Sequence, residues 1–267
     1  MASPKGVRKR PFLARAIRRG RRVMDPALSR IELRASGLEL HSPTSHEERL
    51  VLLPAAPVLR SASTVVYDIG AAAGEYTTAF SKVSTVSQII AFEPLAESYA
   101  ALERRARDVS SIRCFRLALG DENGRLDLHR SVLRDTSSLL PISDTMRVHF
   151  PLGAEIEGAE RVAVARLDDV VAEHGLPTPD LVKMDVQGFE DRVIRGGEAT
   201  LRAARLSIVE VSFRPFYEGS ALFDDVYMLM RDLGFVLVGF EGPLSSPSGE
   251  LLQADAIFES SALPAPR

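Results

Sequence analysis

The sequence predicts an α/β fold with a doubly wound, mostly parallel sheet, and three observations carry that expectation. From residue 64 onward, short β-rich runs alternate with helical stretches, the pattern of βαβ units. The first of these runs ends in a turn of small residues that opens a helix. The last two, 235–241 and 254–259, are joined by a Pro/Ser/Gly loop and read as an antiparallel pair. The sum is a Rossmann-like sheet closed by a terminal antiparallel hairpin and preceded by an N-terminal extension.

In chain order, Val65–Ile69 reads as the first strand, Glu75–Val83 as a helix, Gln88–Phe92 as the second strand and 95–108 as a helix with one charged face. Ile112–Leu119 reads as the third strand, and Asn123-Gly124 supplies a tight turn into Leu126–His129. Residues 131–160 lack periodicity; a stretch that long inside a compact domain reads as a lid or substrate-binding insertion. Strands follow at Arg161–Arg166, Asp180–Asp185 and Leu206–Ser212, with helices through Asp168–Val171, from about Gly188, and over 222–233. Pro54 and Pro57 punctuate the approach to the core. The expected organisation is a basic tail at 1–22, a helical or irregular extension at 23–60, a core domain at 61–260 and a short tail at 261–267.

The net charge of -3 conceals an asymmetry. Residues 1–22 hold nine Lys or Arg and no acid, which leaves -12 on the remainder. An acidic body argues against a sequence-specific nucleic-acid partner. The basic tail suits at most a weak contact with an anionic membrane surface. No apolar run approaches the ~20 residues that span a bilayer, and no apolar stretch of a secretory signal follows the basic start. The expected place is therefore the cytoplasm, with a peripheral position at the inner membrane face as its variant. The single cysteine, Cys114, excludes a disulfide framework and reads as a core thiol. The histidines have no metal-ligand spacing, so no metal site is expected. Nothing in the sequence specifies an oligomeric state.

Three segments carry chemistry. In Asp68-Ile69-Gly70-Ala71-Ala72-Ala73-Gly74-Glu75, a strand turns through small residues into a helix. Gly70 and Ala71 let the backbone approach a ligand, and the helix start after Gly74 offers N–H groups to a carboxylate. Asp68 braces the turn or accepts from an ammonium group. The G-x-G-x-x-G dinucleotide fingerprint is absent, which weighs against a nicotinamide cofactor. Glu93, directly after the second strand, is placed to accept from both ribose hydroxyls of a nucleoside. Beyond the third strand, Asp121 is a candidate for an adenine amine, or a turn residue. In Lys183-Met184-Asp185-Val186-Gln187-Gly188-Phe189-Glu190, period two puts Lys183 and Asp185 on one face, with Asp185 at the strand end over the crevice. Glu210 occupies the equivalent place one strand later; an acid in so apolar a run is costly unless paired, with Lys183 as its structural partner, or functional. Asp185 and Glu210 are the candidate catalytic residues, with His149 as an outside choice of base. Ser137, Ser138 and Arg147 are candidates to hold an acceptor.

Taken in order, Asp68-Ile69-Gly70-Ala71-x-x-Gly74, Phe92-Glu93-Pro94, Ala118-Leu119-Gly120, Arg166-Leu167-Asp168-Asp169, Lys183 to Glu190 and Val209-Glu210 resemble the FkbM-type methyltransferases over about residues 64–241. That resemblance implies a class I methyltransferase domain, S-adenosyl-L-methionine as cofactor, and O-methylation of a small-molecule or glycan acceptor such as a sugar, glycolipid or natural product. It implies cofactor roles for Asp68, Gly70 and Glu93 and places Asp185 beside the transfer site. Two departures stand out: Ala72 where the family often has Asn, and Gln187 where Glu is frequent. The rival readings are an NAD-dependent oxidoreductase or epimerase on a similar sheet, and a non-catalytic cofactor- or glycan-binding module.

Overall fold

A computed structural model describes residues 46–61 and 63–262. The basic stretch 1–22, most of the extension and the end of the chain lie outside the described residues. Strands β1 (Thr64–Ile69), β2 (Val86–Phe92) and β3 (Ile112–Phe115) alternate with helices α2 (Glu75–Ser81) and α3 (Ala96–Ala106), after α1 (His46–Leu59). Then come β4 (Ala118–Gly120), β5 (Gly124–Ser131), α4 (Asp144–His149), β6 (Ile156–Arg166) and α5 (Leu167–His174). The chain continues through β7 (Leu181–Met184), α6 (Glu190–Gly196), α7 (Glu198–Arg202), β8 (Leu206–Ser212), α8 (Phe223–Asp232), β9 (Phe235–Ser245) and β10 (Leu251–Ser260).

Seven strands form the main sheet in the order β3-β2-β1-β7-β8-β10-β9. All neighbours are parallel except β10, which runs antiparallel to both β8 and β9. The chain builds outward from β1 to β3, then returns to lay β7 on the other side of β1. That reversal between β1 and β7 is the switch point, where the loops leave in opposite directions and open a crevice at the carboxyl rim. β1 is buried along its whole length, as a central parallel strand covered on both faces must be. Val65, Tyr67 and Ile69 join the core beneath α5, α6 and α8, while Val66 faces α1 and α2.

Three expectations change here. Ile112–Leu119 is not one strand: it breaks at Arg116, which pairs with Glu160 at 2.9 Å, so β3 stays in the main sheet and β4 crosses into a second sheet, β4-β6-β5. The stretch 131–160 is more ordered than its sequence suggests, with a 3-10 turn at Arg134–Thr136, α4 and the first half of β6. Exposed strands of this kind bury little on either face and so show no alternation. Pro54 and Pro57 lie inside α1 rather than ending it. The helix tolerates them because its Leu52, Ala55, Val58 and Leu59 pack against Val66, Phe80 and Ile89; burial outweighs the missing donors. The end of the extension is thus a layer of the core. Cys114 is half-buried on β3, and burial pushes its thiol up to about 11.

Two outcomes test this packing. Leu59→Ala should destabilise the fold by about 2–5 kcal/mol in denaturant unfolding, the usual cost of emptying a core leucine site; a loss under half that would show that α1 is not a core layer. Gly70 has φ 80°, and a Cβ there would stand 1.8 Å from the carbonyl oxygen of Asp185. Gly70→Ala should therefore force β1 and β7 apart and lower the melting temperature measurably; a parental melting temperature would refute the close approach.

Candidate functional site

The first turn is built around a buried acid. Asp68, the next-to-last residue of β1, lies opposite Lys183 of β7 and is 1 % exposed. Its Oδ2 accepts from Thr77 Oγ1 at 2.5 Å, so α2 is tied to the strand it follows. Its Oδ1 has no partner among the described residues. Burial pushes the carboxyl up to about 6, against the pull of the Thr77 hydrogen bond and the Lys183 charge. Gly70 and Ala71 both donate to the carbonyl of Phe92, so the turn is latched onto the end of β2. Ala72 sits at φ 47°, a left-handed conformation that costs a non-glycine residue roughly 1–2 kcal/mol.

Glu93 offsets that strain. Its Oε2 accepts from the Ala72 N–H at 2.9 Å and its Oε1 from the Leu95 N–H at 2.8 Å. Each oxygen keeps a second lone pair. Glu93 is 6 % exposed, and burial pushes it up to about 7 despite the two backbone donors.

A cavity of about 410 Å3 opens over the switch point. Gly70, Ala71, Glu93 and Asp185 all line it. Phe92, Leu117, Leu119 and Phe189 make an apolar wall on the β2–β4 side. The roof comes from the aperiodic stretch: Arg134, Ser137, Ser138 and Leu139 face the cavity. That roof is pinned. Arg134 bonds Glu97 and Glu157, each at 2.9 Å, and Ser138 Oγ donates to the carbonyl of Gln187 at 2.7 Å.

The far end of the cleft is a network of buried charge. Asp185 is a quarter exposed, and its backbone N–H pairs with Ile69. Lys183 is 1 % exposed, 3.0 Å from Asp255 and 3.8 Å from Asp185. Burial works against its ammonium, but the two carboxylates overcome this and raise its pKa. Gln187, at φ 55°, donates from Nε2 to Asp185 Oδ1 at 2.7 Å and to Glu210 Oε2 at 2.8 Å, while its Oε1 accepts from Tyr217 at 2.7 Å. Glu210 borders a separate cavity of about 110 Å3 beside Gln253 and Asp255.

The sequence candidates therefore divide. Gly70, Ala71, Glu93 and Asp185 converge on one cavity; Asp68 and Gly74 lie behind its wall, Gly74 starting α2 at φ 89°. Asp121 does not line the cavity: Arg166 donates to its carbonyl at 2.8 Å, and Gly196 backs onto Gly120, so the loop turns away. Glu210 lies beside Asp185, with the Gln187 amide bonded to both, and Lys183 takes Asp255 as its nearest partner. Asp255 lies directly across from Glu210 on β10, a neighbour that only strand pairing reveals. His149 and Arg147 lie outside the cavity lining, whereas Ser137 and Ser138 are within it. Within the other motifs, Asp168 accepts from the Thr200 N–H at 2.8 Å and caps α7. Glu190 accepts from the Val186 and Gly188 N–H groups and braces the turn after β7, burial pushing it up to about 7.

Comparison with known proteins identifies the family. Residues 68–237 match the Methyltransferase FkbM domain. The 2-O-methyltransferase NoeI of Sinorhizobium fredii is 29% identical over 211 residues, 77% of this chain and 83% of that protein. The 31-O-demethyl-FK506 methyltransferase FkbM of Streptomyces tacrolimicus is 29% identical over 205 residues, 67% of this chain and 75% of that protein. The hexuronic acid methyltransferase AglP of Haloferax volcanii is 25% identical over 148 residues, 55% of each chain. With the domain match spanning more than half of its length, this chain belongs to the FkbM family of S-adenosylmethionine-dependent methyltransferases.

Proposed function

We propose that this protein methylates a hydroxyl of a sugar, glycolipid or related natural product. The observation that carries the reading is the convergence of Glu93 and Asp185 on opposite sides of one cavity at the β1/β7 switch point. The relatives' names support an oxygen acceptor, since two of the three specify O-methyl positions and the third a hexuronic acid.

The residues present fit an adenosyl-methionine. Gly70 lets the first turn close onto the Asp185 carbonyl and line the cavity with backbone, an orphaned carboxyl oxygen of Asp68 lies behind the turn, and the β2–β4 wall is apolar where a purine needs a dry surface. Glu93 holds the ribose hydroxyls with the lone pairs left on Oε1 and Oε2. Asp68 holds the turn and draws positive charge toward the methionine end. S-Adenosylmethionine, when bound, supplies a methyl group on a positively charged sulfur that keeps the bonding pair as the methyl leaves. Asp185 holds the acceptor oxygen and takes the proton that it loses, with Ser137 and Ser138 as hydroxyl partners on the roof. Fixing the reactants in line is worth ~7–11 kcal/mol in favourable cases, and a placed base adds ~10²–10⁴-fold.

The sign of the pH dependence follows from Glu93. Two ribose O–H donors would favour its ionised form, whereas burial alone pushes the group up to about 7. S-Adenosylhomocysteine should therefore bind more tightly as pH rises through about 7, with affinity falling up to tenfold per unit below it. Calorimetry near pH 7 in buffers of different ionisation enthalpy should show proton release. Glu93→Gln should abolish that release and weaken binding roughly ten- to hundredfold, the range for a lost bond to a charged group. A pH-independent affinity in the parent would remove Glu93 from the ribose.

Acceptors are found by incubating the protein with S-adenosylmethionine and sugar or glycolipid extracts and reading a gain of one methyl by mass. With an acceptor so identified, Asp185→Asn should lower turnover by roughly 10²–10⁴ and change S-adenosylhomocysteine affinity little. Turnover equal to the parent's would exclude Asp185 as the proton acceptor.

A further inference from the structure

Gln187 holds a conformation that glycine adopts freely and glutamine does not, at φ 55°. What keeps it there is its side chain and carbonyl. Ser138 donates to the carbonyl, Tyr217 donates to Oε1, and Nε2 spends its two protons on two different carboxylates. The orientation of the amide is fixed by chemistry. Burial raises the Tyr217 phenol, with Glu210 and Asp185 adding to the effect, so it remains an O–H donor, 2.7 Å from the amide oxygen and 3.1 Å from the carbonyl of Thr136. Reversing the amide would aim an oxygen at two acids.

One nitrogen therefore spans the acid that lines the cofactor cavity and the acid that borders the smaller one. The surroundings cannot neutralise both. Lys183 is the cation in contact, and its nearest partner is Asp255. Asp255 itself lies across from Glu210 on one side and Glu241 of β9 on the other. Among the described residues, Asp68 of β1, Tyr217, Tyr76 of α2 and Glu190 of α6 also face this group, and none is a cation. With Asp185, Glu210 and Asp255 all ionised, three negative charges would crowd around one buried ammonium with only partial access to water, and leaving charge unpaired there is costly.

We propose that Gln187 is a positioning residue whose amide yokes Asp185 and Glu210 into a pair carrying a single proton, with the proton resident on Glu210. The inference rests on the methyltransferase reading of the cleft and adds a division of labour within it. Asp185, nearer Lys183 and open to the cavity, is the carboxylate that receives the proton when an acceptor O–H is converted to O–CH3. The pair then holds two protons, and Glu210, facing the second cavity, is the side from which one leaves. Burial and the Asp185 charge both push Glu210 well above the usual carboxylate range, and Lys183 opposes them without cancelling them.

The test needs no acceptor. Carboxyl 13C titration of the protein loaded with S-adenosylhomocysteine, assigned with Asp185→Asn and Glu210→Gln, should show Glu210 protonated at pH 7. Glu210→Gln, which replaces a protonated acid by an amide that can make the same contacts, should keep the melting temperature at pH 7 within about 2 °C of the parent's. Gln187→Met removes the donor at nearly equal length and should move the titration of the pair by about one unit or more. Gln187→Glu, with no donor and an added charge, should shift it further and lower the melting temperature as pH rises. An ordinary Glu210 titration near ~4.3 in the parent, or a pair unmoved by Gln187→Met, overturns the proposal. Retained S-adenosylhomocysteine binding in that case leaves the methyltransferase reading standing, whereas loss of binding in the parent itself would strike that reading instead.

Discussion

The cleft depends on how closely the first turn runs to the end of β7. The carbonyl of Asp185 occupies the space in which a side chain at residue 70 would begin, and the Asp185 N–H pairs with the carbonyl of Ile69. That contact sets the width of the switch point. It brings the turn of small residues and the strand-end acid into one wall, and it leaves Ala72 in a left-handed conformation that Glu93 secures from the neighbouring strand. Glu93 is thus both a clamp on the protein's backbone and a group with lone pairs directed at a ligand. Losing it would loosen the turn as well as remove two acceptors, so its effects on binding and on local stability are linked by construction.

Four acids in and around the cleft are pushed upward by burial: Asp68, Glu93, Glu190 and Glu210. An acid with a raised folded-state pKa stays protonated while its unfolded counterpart ionises. Its contribution to stability is therefore intact at low pH and declines as pH rises from the ordinary carboxylate range toward the folded value, here about 6 for Asp68 and about 7 for Glu93 and Glu190. The apo protein bears this cost at neutral pH, and a ligand that donates to Glu93 recovers part of it.

Much of this was legible in the sequence because it is local. A strand, a run of small residues and a helix lie within a dozen positions, and Glu93 and Asp185 each follow a strand directly, so chain order alone sets them at the carboxyl rim. The errors arose where the decisive contacts are remote. Asp121 has the composition of a turn residue beside an adenine, but Arg166, 45 positions later, holds its backbone away. Lys183 and Glu210 looked like natural partners on neighbouring strands; the antiparallel return of β10 inserts Asp255, which no local pattern announces. The roof was readable only as a length without periodicity, since its order comes from Arg134 and Ser138 bonding to elements on either side. Gln187 was visible as a departure from a motif, but its three partners were not.

The charge at the transfer end constrains what Asp185 can contribute. A carboxylate beside a sulfonium stabilises the bound cofactor, yet the positive charge disperses as the methyl moves, so electrostatic attraction alone favours the ground state over the transition state. Uniform or ground-state binding does not raise turnover. On the proposed reading, Asp185 would accelerate the reaction only through interactions that strengthen as the acceptor oxygen develops, namely orienting the hydroxyl and receiving its proton. Both need a carboxylate with a fixed direction and an available lone pair, which is what Gln187 on Oδ1 and the distant Lys183 near Oδ2 leave it. A closer ammonium would have tied up the second oxygen and lowered its basicity. The preference of Lys183 for Asp255 is therefore as much a part of the site as the acid it spares.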